Sequence, residues 1–225
     1  MKEHIRIDST YPHVLIMTAV QGEQDAVLRG LGEAKGFDVR LAGVGPASAA
    51  ARTATALTAA KYDLVISAGI GGGFREQADV GSLVIANEII AADLGVETAE
   101  GFASVDELGF GSARVPVEPH LPLKLLQLLK STSIPTSIGP IVTLSTATGT
   151  ANTCAELSKR IPGVAAEAME GYGVALAAHH LGLPVMEIRA ISNIVGPRQR
   201  ELWKIKEAMQ TLETAFSILP EVLHR

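Results

Sequence analysis

A regular alternation constrains this chain more than any other feature: short Val- and Ile-rich apolar runs are separated by longer stretches of helical periodicity. The runs are Val14–Ala19, Val39–Val44, Leu64–Ala68, Leu83–Ile90, Ile138–Leu144, Val164–Ala168 and Val185–Ser192, each bounded by Gly, Pro or polar residues. Their length and β-branched content predict buried strands. Helical patterns cover Glu23–Leu31, Ala47–Ala60, Leu123–Lys130, Thr153–Arg160, Gly171–Leu181 and Glu201–Leu223. Pro46 precedes the second of these, where proline suits a first helical turn. Strands that are nearly continuous apolar runs need cover on both faces. The order therefore predicts an α/β fold, a three-layer arrangement with a central mixed, largely parallel sheet flanked by helices. A chain of 225 residues fits one domain, 1–225. No repeat, low-complexity tract or linker divides it. The stretch 91–119 reads as a long irregular segment, and segments of that length in a compact domain are usually functional or mobile.

Composition removes several classes. Hydrophobic residues at 47% and charged residues at 19% argue against disorder. Nineteen basic against twenty-four acidic residues give a net charge of −5, which argues against a nucleic-acid or membrane-surface partner. No apolar run reaches the roughly 18 uncharged residues of a membrane span. Met1–Asp8 is of mixed charge with no apolar signal core, so a cytoplasmic location is expected. A single cysteine, Cys154, rules out an internal disulfide framework and a cysteine-only metal site. It reads as a small buried residue rather than a nucleophile.

Common ligand motifs are missing. There is no G-x-x-x-x-G-K-[ST] and no G-x-S-x-G. The first strand runs into Val20-Gln21-Gly22-Glu23 rather than a G-x-G-x-x-G turn. His179 and His180 are adjacent on a helix, point in different directions, and read as surface or packing residues.

More informative are the strand ends, where sheets of this kind bind ligands. Gly43-Val44-Gly45-Pro46 ends one strand and Gly69-Ile70-Gly71-Gly72-Gly73 ends the next. Glycine there lets backbone N–H groups approach a ligand, although tight strand-to-helix turns would use it equally. Glu23 follows the first strand, either as a first-turn carboxylate favoured by the helix dipole or as a base. Met169-Glu170 leads into an Ala-rich helix, and a carboxylate is costly to bury there unless hydrogen-bonded. Asn193 ends the last strand, and by itself reads as an ordinary turn residue.

Taken in order, these residues resemble the nucleoside phosphorylase superfamily, in the branch that contains methylthioadenosine/S-adenosylhomocysteine nucleosidase. The similarity runs nearly the whole chain. It includes Thr18-Ala19-Val20 leading to Glu23, Gly43-Val44-Gly45-Pro46-Ala47, Ser67-Ala68-Gly69-Ile70-Gly71-Gly72 and Glu167-Ala168-Met169-Glu170-Gly171. Its most specific stretch is Arg189-Ala190-Ile191-Ser192-Asn193. Residues 92–98, 106–111 and Asn193-Ile194-Val195-Gly196-Pro197-Arg198, running on to Trp203, further resemble the futalosine hydrolases of the alternative menaquinone pathway.

The resemblance implies a purine N-ribosyl hydrolase whose substrate is the nucleoside futalosine, with no metal or organic cofactor, and a homodimer or larger homo-oligomer. It implies that Glu23 activates the attacking water. Met169 and Glu170 would lie under the ribose, with Glu170 accepting from its hydroxyls. Ile70 and Gly71 would lie beside ribose and base, and Asn193, next to Ser192, would face the purine N7. Trp203 would sit near the 5′ substituent with Arg198 beside it. Thr148 and Gly149 stand where the adenine-specific relative has a base-stacking aromatic, and Ala168 stands where it has a glutamate. Phosphorylases of the superfamily place arginines around an anion. Between Arg40 and Arg75 this chain has only Arg52, in the middle of a helical pattern, which favours water as the nucleophile.

Overall fold

The computed structural model describes residues 13–223, so the reading of Met1–Asp8 lies outside the described residues. In chain order the elements are β1 (Val14–Thr18), α1 (Gln21–Leu31), β2 (Phe37–Leu41), α2 (Pro46–Ala59), β3 (Leu64–Gly73), β4 (Leu83–Ala91), β5 (Gly95–Thr98), β6 (Gly101–Ser104) and α3 (Val105–Leu108). Then come β7 (Arg114–Pro116), α4 (Leu121–Leu129), β8 (Thr136–Thr143), α5 (Ala151–Arg160), β9 (Ala166–Ala168), α6 (Gly171–His180), β10 (Val185–Ile194), a 3-10 turn at Arg200–Leu202 and α7 (Ile205–Leu223).

Among the described residues the main sheet has eight strands. Side-chain alternation divides its two faces. Val14 and Ile16 of β1 join Leu31, Leu125, Leu212 and Phe216 beneath α1, α4 and α7. Leu15 and Met17 join Ala49, Ala56, Val174 and Ala178 beneath α2 and α6. Each large apolar side chain so buried contributes roughly 1.5–3 kcal/mol. Both faces are covered, which explains why these strands read as continuous apolar runs. A third cluster, with Phe74, Val142, Leu144 and Leu157, packs beneath α5, and half-buried Cys154 borders it.

The expected mixed, largely parallel sheet is present, and its pairings also form a ring. β3 pairs with β10, β10 with β4, β4 with β8, β8 with β9, and β9 returns to β3. The ring closes because the ten-residue β3 shares one edge between two partners. β1 pairs with Leu64–Ser67, and β9 takes up Gly72 and Gly73. Residues 68–71 lie between these two pairings, so the edge of β3 splits there.

Three expectations change. The 69–73 glycine run is not a strand-to-helix turn, because β3 continues through it. The 91–119 segment is not irregular. It holds the β5–β6 hairpin, α3 and β7, with α3 opened by reciprocal bonds between Ser104 and Glu107. The last helical pattern starts later than read, at Ile205. His179 and His180 are exposed at the end of α6, as expected. No helix among the described residues is long and apolar enough to cross a membrane.

Candidate active site

The split in β3 sets the position of the first carboxylate. Glu23 lies in the first turn of α1, where its side chain reaches back over its own N-terminus. Its Oε2 accepts from the backbone N–H groups of Ala19 at 2.8 Å and Val20 at 3.2 Å. Its Oε1 accepts from Ile70 N–H at 2.9 Å, inside the split. Only 3% of the residue is exposed. Burial raises its pKa above the ordinary carboxylate value and nearby Glu170 adds to this, against the opposing pull of Arg189 and the N–H donors. Gly69 makes room for this contact, since a Cβ there would sit 2.5 Å from Glu23 Oε1 and 2.7 Å from an Arg189 nitrogen.

Glu170 caps the space between β9 and α6. Its Oε1 accepts from Gly45 N–H at 3.2 Å and its Oε2 from Met169 N–H at 3.3 Å. Gly45 presents that N–H with φ at 89°, a conformation glycine adopts without penalty. Arg189 Nη1 lies 3.4 Å from Glu170 Oε2. These contacts answer the burial cost anticipated from sequence.

Behind both carboxylates Arg189 is buried in β10. Its Nε donates to Glu187 at 2.9 Å and its Nη2 to Ser67 Oγ at 3.0 Å. Burial works against its charge, but Glu187, Glu170 and Glu23 outweigh it and hold the guanidinium protonated. Three carboxylates surround one cation in a buried region. Glu187, fully buried, is accordingly pushed up to about 7 by burial and by Glu170, despite its bond to Arg189. Gly171 packs directly against that carboxylate, and any side chain there would collide with it. Glu187 and Arg189 are a charged pair on one strand face, at i and i+2. The signal missed in sequence was two opposite charges inside an otherwise apolar strand.

At the far end, β10 carries a register shift against β3 between Ile191 and Asn193. Bulges of this kind re-aim side chains. Ser192 Oγ lies 3.2 Å from Gly71 O and 2.8 Å from Asn193 Oδ1, and Asn193 Nδ2 donates to Ile194 O at 3.2 Å. One N–H and one lone pair of the Asn193 amide remain for a ligand.

Glu23, Met169, Glu170, Ser192 and Asn193 border a cleft of about 250 Å³, while Arg189 and Glu187 are buried outside its lining. Of the positions expected from sequence, Glu23, Ile70, Gly71, Thr148, Met169, Glu170, Ser192, Asn193, Arg198 and Trp203 line it. Gly149 is exposed and stands outside the lining. The Arg198 and Arg200 guanidinium carbons lie 5.1 Å and 5.9 Å from the centre of the Trp203 ring. The 91–111 segment is not in this cleft. Phe102, Ser104, Asp106 and Glu107 line a second one with Arg160, whose guanidinium lies 4.2 Å over the Phe102 ring. Sequence reasoning also missed Glu167, a buried carboxylate in the lining whose Oε1 accepts from Thr148 N–H at 2.8 Å.

Comparison with known proteins shows the family and the fold. The phosphorylase superfamily pattern matches residues 28–224. The futalosine hydrolase of Streptomyces coelicolor is 49% identical, covering 94% of this chain and 96% of its own. Among solved structures, futalosine hydrolase of Helicobacter pylori has a TM-score of 0.79 at 16% identity, over 92% of this chain and 97% of that one. The 5′-methylthioadenosine/S-adenosylhomocysteine nucleosidase of Helicobacter pylori has a TM-score of 0.81 at 15% identity, over 95% and 99%.

Proposed function

The chain belongs to the phosphorylase superfamily, and on that premise we propose that it is a futalosine hydrolase, releasing hypoxanthine from futalosine and leaving dehypoxanthine futalosine. The observation that carries the reading is the meeting of Glu23 and Glu170 in one cleft. Both are buried, both are held by backbone N–H groups, and both face Arg189. Hydrolysis of an N-glycosidic bond passes through an oxocarbenium-like sugar, as glycoside hydrolysis does. In this reading Glu23 takes the proton from the attacking water. Its raised pKa suits a base working near neutrality. Glu170 accepts from the ribose hydroxyls and its charge favours the developing cation, already in place before the reaction begins. Asn193 meets the purine at N7 and O6, supporting the departing base. Ile70, Gly71 and Met169 line the space for ribose and base.

In this reading the 5′ arm lies beside Trp203 and Arg198, which line the cleft, with Arg200 next to the Trp203 ring; guanidinium suits an acidic arm. The reaction written this way uses no metal or organic cofactor. A homodimer or larger homo-oligomer and a cytoplasmic location belong to the same proposal, supported by the sequence resemblance, and sedimentation tests the first. The reading as a whole is tested by incubating the protein with futalosine, inosine and methylthioadenosine and identifying the released base. Hypoxanthine from futalosine is the expected product. Preferential adenine release from methylthioadenosine would instead make this an adenine nucleosidase.

A further inference from the structure

We propose that Glu187 is a positioning residue for the hydrolysis, holding the Arg189 guanidinium in the plane that aims one end of it at Glu170 and Ile70; the inference rests on reading Glu170 as the ribose contact and Glu23 as the base. Glu187 is fully buried and stands outside the cleft lining, so it acts only through its neighbours.

The sheet register sets those neighbours. Glu187 and Arg189 share one face of β10 and pair with Ser67 and Gly69 of β3. A guanidinium is planar and carries its five N–H donors in a fixed fork. Glu187 Oε1 accepts from Nε at 2.9 Å, and Ser67 Oγ accepts from Nη2 at 3.0 Å. Two fixed points set the plane, and the plane aims Nη1. That nitrogen lies 3.4 Å from Glu170 Oε2 and 3.4 Å from Ile70 O. Ile70 is also the residue whose N–H binds Glu23 Oε1 at 2.9 Å. The aim of one buried side chain therefore bears on both carboxylates of the cleft.

Glu187 is braced from the other side by α6. Gly171, the first residue of that helix, packs against both Glu187 oxygens, and Glu170 is the N-cap just before it. Glu187 thus touches the guanidinium and the start of the helix that carries Glu170. Stability is a weak reason to keep it. Its Oε2 is buried with no hydrogen-bond partner among the described residues, which is costly. Apolar residues can often replace buried ion pairs without loss of stability. Charge is a weak reason too. With its pKa pushed up to about 7, Glu187 passes between ionised and neutral forms near neutrality. Both forms present an oxygen to Arg189 Nε. What persists is an acceptor at one place.

Conservative variants of the full-length chain separate place from charge, with base release as the assay. Glu187→Gln keeps an oxygen on a side chain of the same length and removes the charge. Its kcat should stay within about 5-fold of wild type, the difference between a charged and a neutral acceptor. Glu187→Asp keeps the charge but ends one methylene short, so it draws Arg189 away from its aim. Its kcat should fall about 10- to 100-fold while KM changes less than about 3-fold, because a misplaced charge at the ribose is felt mainly as the cation develops. Ser67→Ala removes the Nη2 acceptor with a small change of volume and should lower kcat about 5-fold or more. A residue serving stability alone would lower the melting temperature and leave kcat per folded molecule unchanged. Wild-type kcat in a folded Glu187→Asp protein overturns the proposal, as does a Glu187→Gln protein that loses as much as Glu187→Asp. Should Glu187→Asp not fold, wild-type kcat in Ser67→Ala overturns it instead. The contrast is read on whichever of futalosine, inosine and methylthioadenosine the protein cleaves. Inert futalosine with the contrast intact on another nucleoside would refute the futalosine reading alone.

Discussion

Glu23 and Asn193 both line the cleft, and the role proposed for each makes a separate prediction. Glu23→Gln keeps the shape and removes the base; its one oxygen can accept from Ile70 N–H or from the Ala19 and Val20 N–H groups, not from both sides. It should bind nucleoside within a few-fold of wild type and lose about 10²- to 10⁴-fold in kcat. A fully active variant would remove Glu23 from the mechanism. A residue serving only the dipole of α1 would instead show a stability change of about 0.3–1 kcal/mol and normal turnover. The same carboxylate fixes the pH dependence. It must be ionised to take a proton from water, and burial holds its pKa above 4.5. The acid limb of kcat/KM should therefore lie above the range of a free glutamate, with activity falling as pH drops through that raised value. A limb at the ordinary carboxylate pKa would contradict the assignment. Asn193 can donate to O6 and accept from a protonated N7. Asn193→Asp should weaken futalosine hydrolysis and raise activity on adenine nucleosides, read as the ratio of kcat/KM for the two base types. An unchanged ratio would put Asn193 outside the base pocket.

At the level of elements, the site exists because β3 is longer than either partner on one of its edges. Glycine at 69 keeps the split open for Glu23 and Arg189. Gly69→Ala should thus behave as an indirect loss of Glu23, with turnover reduced at least about 10²-fold in the general-base range while the protein stays folded by circular dichroism. Wild-type turnover in a folded Gly69→Ala protein would refute that role. The Arg198–Trp203 segment makes the other element-level prediction. Replacing Arg198 and Arg200 together by alanine should raise KM for futalosine about 10-fold or more, the value of one or two ionic hydrogen bonds, and leave inosine unaffected. An unchanged KM for futalosine would leave the arginines as solvated residues. The strands were legible because burial on both faces removes polar alternation, as in Val-Leu-Ile-Met-Thr of β1. β5, β6 and β7 were not, because they are three or four residues long with few buried side chains, and tertiary pairing rather than composition defines them. Glu23 and Glu170 stood out as carboxylates at strand ends. Arg189, Glu187 and Glu167 did not, because what distinguishes them is burial and partners, which arise only when β3, β9 and β10 meet.

Across the whole molecule, one closed ring of strands within a helix-covered sheet brings distant segments to a single cleft. The first turn of α1, the split in β3, the β9–α6 junction and the end of β10 all reach it. A domain shared with phosphorylases becomes a hydrolase by what its cleft offers the nucleophile. In the proposed mechanism a buried carboxylate with a raised pKa, Glu23, activates water. The most direct measurement is base release from futalosine in buffer stripped of phosphate, followed by chromatography of the products with and without added phosphate. The account predicts stoichiometric hypoxanthine and dehypoxanthine futalosine at the same rate in both. Release that appears only when phosphate is added, with a sugar phosphate as product, would contradict it.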